Sequence, residues 1–139
     1  MPRITHIAIK VMDLEEATRF YTEVYGFKHV HTGRNAHAPD HVSRHLTDGY
    51  IDLALMQYDS EQAAEAQLAG PGACIHHIGI EVDDRAAFAD KLEAAGSEIL
   101  SERNVKGALK YRGPDGTVAE IVQAGAFDGM RKKAEKEHA

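Results

Sequence analysis

The chain has 139 residues, 43% hydrophobic and 27% charged, enough for one compact domain to bury a core without disulfide or metal staples. Its formal charge of −6 and pI near 5.8 speak against sequence-independent nucleic-acid binding, which depends on a concentrated basic face. No apolar run approaches the ~20 residues of a membrane span, the first residues enter an alternating strand rather than a leader, and the single Cys74 excludes an internal disulfide; a cytoplasmic protein with neither nucleic-acid nor membrane partner is expected.

In chain order, Ile-Thr-His-Ile-Ala-Ile-Lys-Val at 4–11 alternates as a strand, with Ile7, Ile9 and Val11 on one face and His6 on the other. Asp13, with Glu16 three residues on, opens a helix whose stripe is Leu14, Ala17, Phe20, Tyr21 and Val24, and Gly26 stops it. Strands are read near 27–33, 42–47 and 50–57, separated first by a loop over 33–41, where His37 and His41 are candidate substrate contacts of a lid. Residues 59–74 form a polar linker with a helical turn, closed by Gly-Pro-Gly.

The order then repeats. Ile-His-His-Ile-Gly-Ile-Glu-Val at 75–82 matches the first strand, and His77 falls 71 residues after His6. Asp83 or Asp84 opens a second helix with Phe88, Leu92 and Ala95 facing inward, Gly96 ends it, and strands follow near 97–103, 107–112 and 117–123. The expected fold is therefore α+β: two tandem βαβββ modules, 3–58 and 75–123, forming an open, cup-shaped mixed sheet with helices outside. The tail, 124–139, reads as a solvated helix or frayed end, with a dimer contact as the alternative. His29, His31 and His76 read as surface or loop residues.

Two equivalent strands that each present a histidine to the open face place two imidazoles near the pseudo-two-fold axis, and a divalent metal is the natural use. The last strands should complete the set. Glu120 stands in mid-strand, where an unpaired charge is costly, and is expected as a ligand. In the first module the apolar phase of Ile51, Leu53 and Leu55 sets Asp52 against Glu120, whereas counting from Gly49 and Gly116 sets Leu53 there. The apolar phase is preferred, because a one-residue slip would bury Asp52 against the helices. The expected metal set is thus His6, His77, Glu120 and Asp52, with Glu120 or Asp52 as proton carrier. His45, Arg44, Lys106 and Tyr111 are the expected substrate contacts.

His6 in ITHIAIKV, the run DLEEATRFYTEVYGF at 13–27, His77 in IHHIGIEV and GPDGTVAEIV at 113–122 resemble the vicinal-oxygen-chelate superfamily of glyoxalase I, methylmalonyl-CoA epimerase, extradiol dioxygenases and bleomycin resistance proteins. The resemblance implies a lyase or isomerase of glyoxalase I type, which chelates a small substrate through neighbouring oxygens and works through an enediolate. Ni, Co, Mn, Fe or Zn suits the donor set, glutathione is a possible co-substrate because Val105-Lys106-Gly107 resembles a glyoxalase I segment near the thiol, and a homodimer is implied. Glyoxalase I carries a glutamate where Asp52 is mapped. With only His6, His77 and Glu120 as ligands, the set would suit a non-haem Fe(II) dioxygenase, whose extra acid–base histidine is sought in 97–112 and not found; a non-catalytic binding protein is the third reading.

Overall fold

A computed structural model describes residues 1–36, 38–102 and 107–137, the side chain of Ala134 excepted. Eight strands form one open mixed sheet: β1 (Arg3–Lys10), β2 (Lys28–Asn35), β3 (Ala38–Thr47), β4 (Asp52–Tyr58), β5 (Cys74–Val82), β6 (Glu98–Ile99), β7 (Leu109–Arg112) and β8 (Val118–Gln123). Their spatial order is β2-β3-β4-β1-β5-β8-β7-β6. Within each half the first strand lies parallel to the last, β1 to β4 and β5 to β8, and β1 pairs antiparallel with β5 at the centre. The α+β architecture expected from the repeat is observed, and the repeat axis passes between the two histidine-bearing strands.

One face carries the helices. Helix α1 (Leu14–Arg19) is capped by the Asp13 side chain, which accepts from Glu16 N at 3.0 Å. It continues as a π-helical turn over Phe20–Val24, with the Thr18 and Thr22 hydroxyls donating to the carbonyls of Leu14 and Thr18. Leu14, Ala17 and Tyr21 pack on Ile7, Ile9, Leu46, Leu53 and Leu55. Phe20 and Val24, expected in the buried stripe, are half exposed or more, because the wider turn rotates them off the sheet. Helix α3 (Arg85–Ala94) repeats the arrangement, with Asp84 as cap and Phe88, Ala89 and Leu92 over Val82, Leu109 and Ile121; Ala95 is exposed rather than inward-facing.

Within the expected loop over 33–41, residues 33–35 and 38–41 are instead strand. β2 and β3 stay paired out to Asn35 and Ala38, and Arg34 holds Asp59 through two bonds of 2.8 Å. Cross-strand pairing overrides the polar composition of this stretch. His37 lies outside the described residues.

The other face bears the histidines, and two short helices lie against it. Helix α2 (Ala64–Gln67), within the linker, sets Ala66 on Ala8, Ala54, Met56 and Tyr58. Helix α4 (Ala126–Glu137) starts with a buried Phe127, so the tail begins anchored. Equivalent residues of the repeat, Lys10 and Glu81, fasten these helices. Lys10 is buried on β1 and donates to Ala66 O at 3.1 Å and Gly70 O at 2.6 Å, carbonyls at the C-terminal end of α2. Glu81 is buried on β5 and accepts from Phe127 N at 2.8 Å, at the N-terminal end of α4. Each charge is opposite in sign to the partial charge of the helix end it meets. Lys10→Met is expected to strand two carbonyls and lower stability by about 3 kcal/mol, roughly 10 °C in Tm, with metal content unchanged. Urea unfolding beside metal analysis checks it, and an unaltered midpoint contradicts the staple.

Candidate metal centre

His6 and His77 reach the histidine face of the central strand pair, and Glu120 joins them from β8. His6 Nε2 lies 3.2 Å from His77 Nε2 and 3.3 Å from Glu120 Oε1, and His77 Nε2 lies 3.4 Å from the same oxygen. These atoms outline a nearly equilateral triangle. Metal–ligand bonds of about 2.1 Å span about 3.0 Å between ligand atoms at a right angle and about 3.4 Å at a tetrahedral angle, so one divalent ion fits above this triangle.

The partners of each ring decide whether lone pairs face that point. His76 Nε2 lies 2.7 Å from the Glu65 carbonyl, which only accepts, so Nε2 carries the proton. Burial pushes the His76 pKa down to about 4, so the ring is neutral and its Nδ1 accepts. His77 Nδ1, 2.7 Å away, must then donate, which leaves His77 Nε2 with its lone pair turned to the triangle. On the other side Asp52 Oδ2 accepts from His6 Nδ1 at 2.7 Å, which aims His6 Nε2 at the triangle; burial opposes charge on this ring, but the bond to Asp52 and the charge of Glu120 raise its pKa, so an ion binding there displaces the Nε2 proton. Burial opposes charge on both carboxylates and is overcome: Asp52 is held below the usual range by bonds from His45 and His6, and Glu120 by His77 and Lys110. Three inward-facing ligand atoms with oriented supports are the chemistry a divalent ion requires.

His76 was expected at the surface; a β-bulge brings it here. Ala8 pairs with His77 and Ile9 with Ile75, so His76 is the extra residue, and it lies buried beside His77 with their ring centroids 5.0 Å apart. Gly79 supplies the clearance for His6. A Cβ built there would stand 2.7 Å from His6 Cβ, an atom fixed to the backbone. Gly79→Ala is therefore expected to displace His6 and weaken metal binding about tenfold or more, as loss of a supporting residue does; titration of metal-free protein would show it, and unchanged affinity would remove the packing reason for this glycine.

Asp52 stands on the far side of the His6 ring from the triangle. It also accepts from His45 Nδ1 at 2.9 Å, so its carboxylate bridges two imidazoles. The sheet register also changes its equivalence. Ala8 pairs with Ala54 and its repeat mate Gly79 pairs with Glu120, so Ala54, not Asp52, occupies the position matching Glu120. Asp52 shares the face but lies two residues earlier.

Of the expected substrate contacts, His45 is on the histidine face, paired with Ala54 across β3 and β4. Arg44 is not: it points to the helix face and bonds Thr32, Thr18 and Glu15 at 2.9–3.0 Å, tying α1 to the sheet. Tyr111 also belongs to the helix-face core, packed with Leu109 and Ile121. Both corrections follow from parity, since Arg44 adjoins His45 and Tyr111 adjoins Lys110. Lys106 lies outside the described residues. Lys110 is the residue that sequence reasoning missed. It faces Glu120 across β7 and β8, 3.4 Å from Oε2, and reaches Glu65 Oε1 at 2.8 Å. Burial works against its charge, but Glu120 and Glu65 raise its pKa and keep it cationic. Counting back through the hairpin from Gly-Pro-Asp-Gly would have revealed it.

Residues 3–121 match the Glyoxalase/Bleomycin resistance protein/Dioxygenase superfamily. A probable lactoylglutathione lyase of Vibrio parahaemolyticus is 31% identical over 135 residues, covering 87% of this chain and 90% of the relative. An ethylmalonyl-CoA/methylmalonyl-CoA epimerase of Cereibacter sphaeroides is 32% identical over 108 residues, 75% of this chain and 78% of its own. Among solved structures, a Streptomyces coelicolor methylmalonyl-CoA epimerase variant in complex with 2-nitronate-propionyl-CoA superposes with a TM-score of 0.73 at 28% identity, over 89% of this chain and 98% of that one. Among the described residues no helix is long and apolar enough to cross a membrane.

Proposed function

Because the chain belongs to the Glyoxalase/Bleomycin resistance protein/Dioxygenase superfamily, we propose that it is a divalent-metal-dependent lyase or isomerase that moves a proton at the carbon beside a carbonyl of a small substrate. The observation that carries this reading is the triangle of His6 Nε2, His77 Nε2 and Glu120 Oε1, with sides of 3.2–3.4 Å and all three ligand atoms turned inward. His6, His77 and Glu120 hold the ion, which when bound supplies Lewis-acid stabilisation to the substrate oxygen that gains charge. Asp52 orients His6 from behind rather than ligating.

Glu120 and Asp52 are poor proton carriers in this arrangement. Glu120 has Lys110 on its second oxygen, Asp52 has imidazoles on both of its own, and each is held well on the ionised side. We assign the transfer to His45, whose Nδ1 is fixed by Asp52 and whose Nε2 has no protein partner among the described residues. Its Nε2 takes the proton beside the carbonyl, the C–H electron pair passes into the carbon–carbon bond and the carbonyl pair onto oxygen, giving an enediolate. On a hemithioacetal the imidazolium then returns the proton to the neighbouring carbon; on a CoA ester the opposite face of the same carbon takes its proton from water, and His45 gives up its own to solvent. Lactoylglutathione lyases and the epimerase stand at nearly equal identity to the chain, so a thiol-carried substrate, a glutathione hemithioacetal or a CoA thioester, fits both. A homodimer belongs to the same proposal, with Phe20, Val24, Tyr25 and Tyr50 offering exposed apolar surface.

The test is turnover of both substrate types by protein reconstituted separately with Ni²⁺, Co²⁺, Mn²⁺, Fe²⁺ and Zn²⁺. Loss of hemithioacetal absorbance or solvent deuterium uptake by the CoA ester supports the reading; neither with any ion sinks it. A second reading, Fe(II)-dependent ring cleavage of a diol, is favoured by Ala54 at the Glu120-equivalent position, which leaves two histidines and one carboxylate, and by His45 nearby. Oxygen uptake with a catechol, strictly dependent on Fe²⁺, would select it.

A further inference from the structure

A second group of metal-ligating side chains lies where β3 meets α2. Asp40 and His41 come from β3 and Glu65 from α2, and one ligand atom from each lies within 4.8 Å of the others. His41 is buried, with Nδ1 2.9 Å from Asp40 Oδ1 and 3.9 Å from Glu65 Oε2. The Glu65 backbone is fixed by His76 on its carbonyl and by Lys10 on α2, and its carboxylate is held by Lys110 on Oε1 at 2.8 Å.

Two independent features point to a ligand. Tyr58 pairs with His41 across β3 and β4, their ring centroids are 4.7 Å apart, and Tyr58 is 9% exposed. Its hydroxyl is buried with no hydrogen-bond partner among the described residues, and burial, with the negative charge of Glu65 and Asp40, pushes its pKa up and keeps it protonated. A buried phenol normally finds a partner. Charge balance agrees. The Lys110 ammonium is shared between Glu65 Oε1 and Glu120 Oε2, while Arg34 is committed to Asp59, so Asp40 and Glu65 together exceed the cations beside them.

We propose that Asp40, His41 and Glu65 form a second divalent-cation site, with Tyr58 bonding to a water in the ion's shell. One imidazole and two carboxylates suit a borderline ion such as Zn²⁺. Bound there, the ion takes the His41 Nδ1 lone pair, the ring carrying its proton on Nε2 instead, and ties β3 to α2, so binding stiffens the linker. The site shares no ligand with the His6–His77–Glu120 triangle and stands apart from the functional reading given above.

Zn²⁺ titration of metal-free protein, by calorimetry with equilibrium dialysis, tests it. The wild type is expected to bind two ions, and His41→Ala and the milder Asp40→Asn one, with the remaining ion lost on adding His77→Ala. Loss of one ion in both Asp40 and His41 variants supports the site even if His77→Ala changes nothing, in which case only the first centre fails. An ion count equal to wild type in these two variants overturns the proposal, whether that count is one or two; a second ion that persists is adventitious.

Discussion

His77→Ala and Glu120→Ala are each expected to release the ion from the triangular centre and abolish turnover. A fully built four-ligand zinc site contributes about 10–16 kcal/mol, so one ligand of this compact set is worth roughly 3–4 kcal/mol, about two to three powers of ten in affinity. The two variants should differ in what they leave behind. Removing His77 takes away one lone pair and leaves His76 without its donor, whereas removing Glu120 takes the anion from between two imidazoles and leaves Lys110 paired with Glu65 alone. Glu120→Ala should therefore reduce affinity for every divalent ion, while His77→Ala should also relax the preference for ions that favour nitrogen. Elemental analysis after dialysis, with affinities for Zn²⁺ and Mn²⁺, checks both statements. Retention of the same ion in both variants would place the metal elsewhere.

His45→Gln is expected to cut kcat by about 10²–10⁴, the usual contribution of a positioned acid–base group, while metal content stays at the wild-type level. Asp52→Asn is expected to act twice. The amide oxygen can serve only one of the two imidazoles well, so metal affinity should fall about 10–100-fold through His6, and kcat should fall through His45. A carboxylate acting as a direct ligand would instead lose metal without a separate effect on turnover of the reloaded enzyme. Full activity of His45→Gln would return the proton to Asp52 or Glu120.

The repeat made much of this visible in one dimension. Period-2 alternation assigned Ile7, Ile9, Ile78 and Ile80 to the helix face and His6, His77 and Glu120 to the other, and the 71-residue spacing identified the two histidines as equivalents. The same rule, applied strictly, excludes Arg44 and Tyr111 from the histidine face, since each is one residue from a side chain that belongs there. Parity has a limit, however: a shift of two residues preserves every face. Asp52 and Ala54 are indistinguishable by alternation, and only the hydrogen bonds between β1 and β4 reveal that Ala54 matches Glu120.

What the amino-acid order determined by itself was therefore the module, the face that alternation gives the regular strand positions and the grouping of His6, His77 and Glu120 on one face, because these follow from local periodicity and its repetition. Tertiary structure alone decided the rest. The bulge that turns His76 toward His77 exists only through pairing with β1, the reach of Lys10 and Glu81 to helices α2 and α4 depends on where those helices dock, and residues 33–35 and 38–41 became strand because a neighbouring strand satisfied their backbone. Each depends on hydrogen bonds between segments distant in the chain, whose register no local pattern encodes.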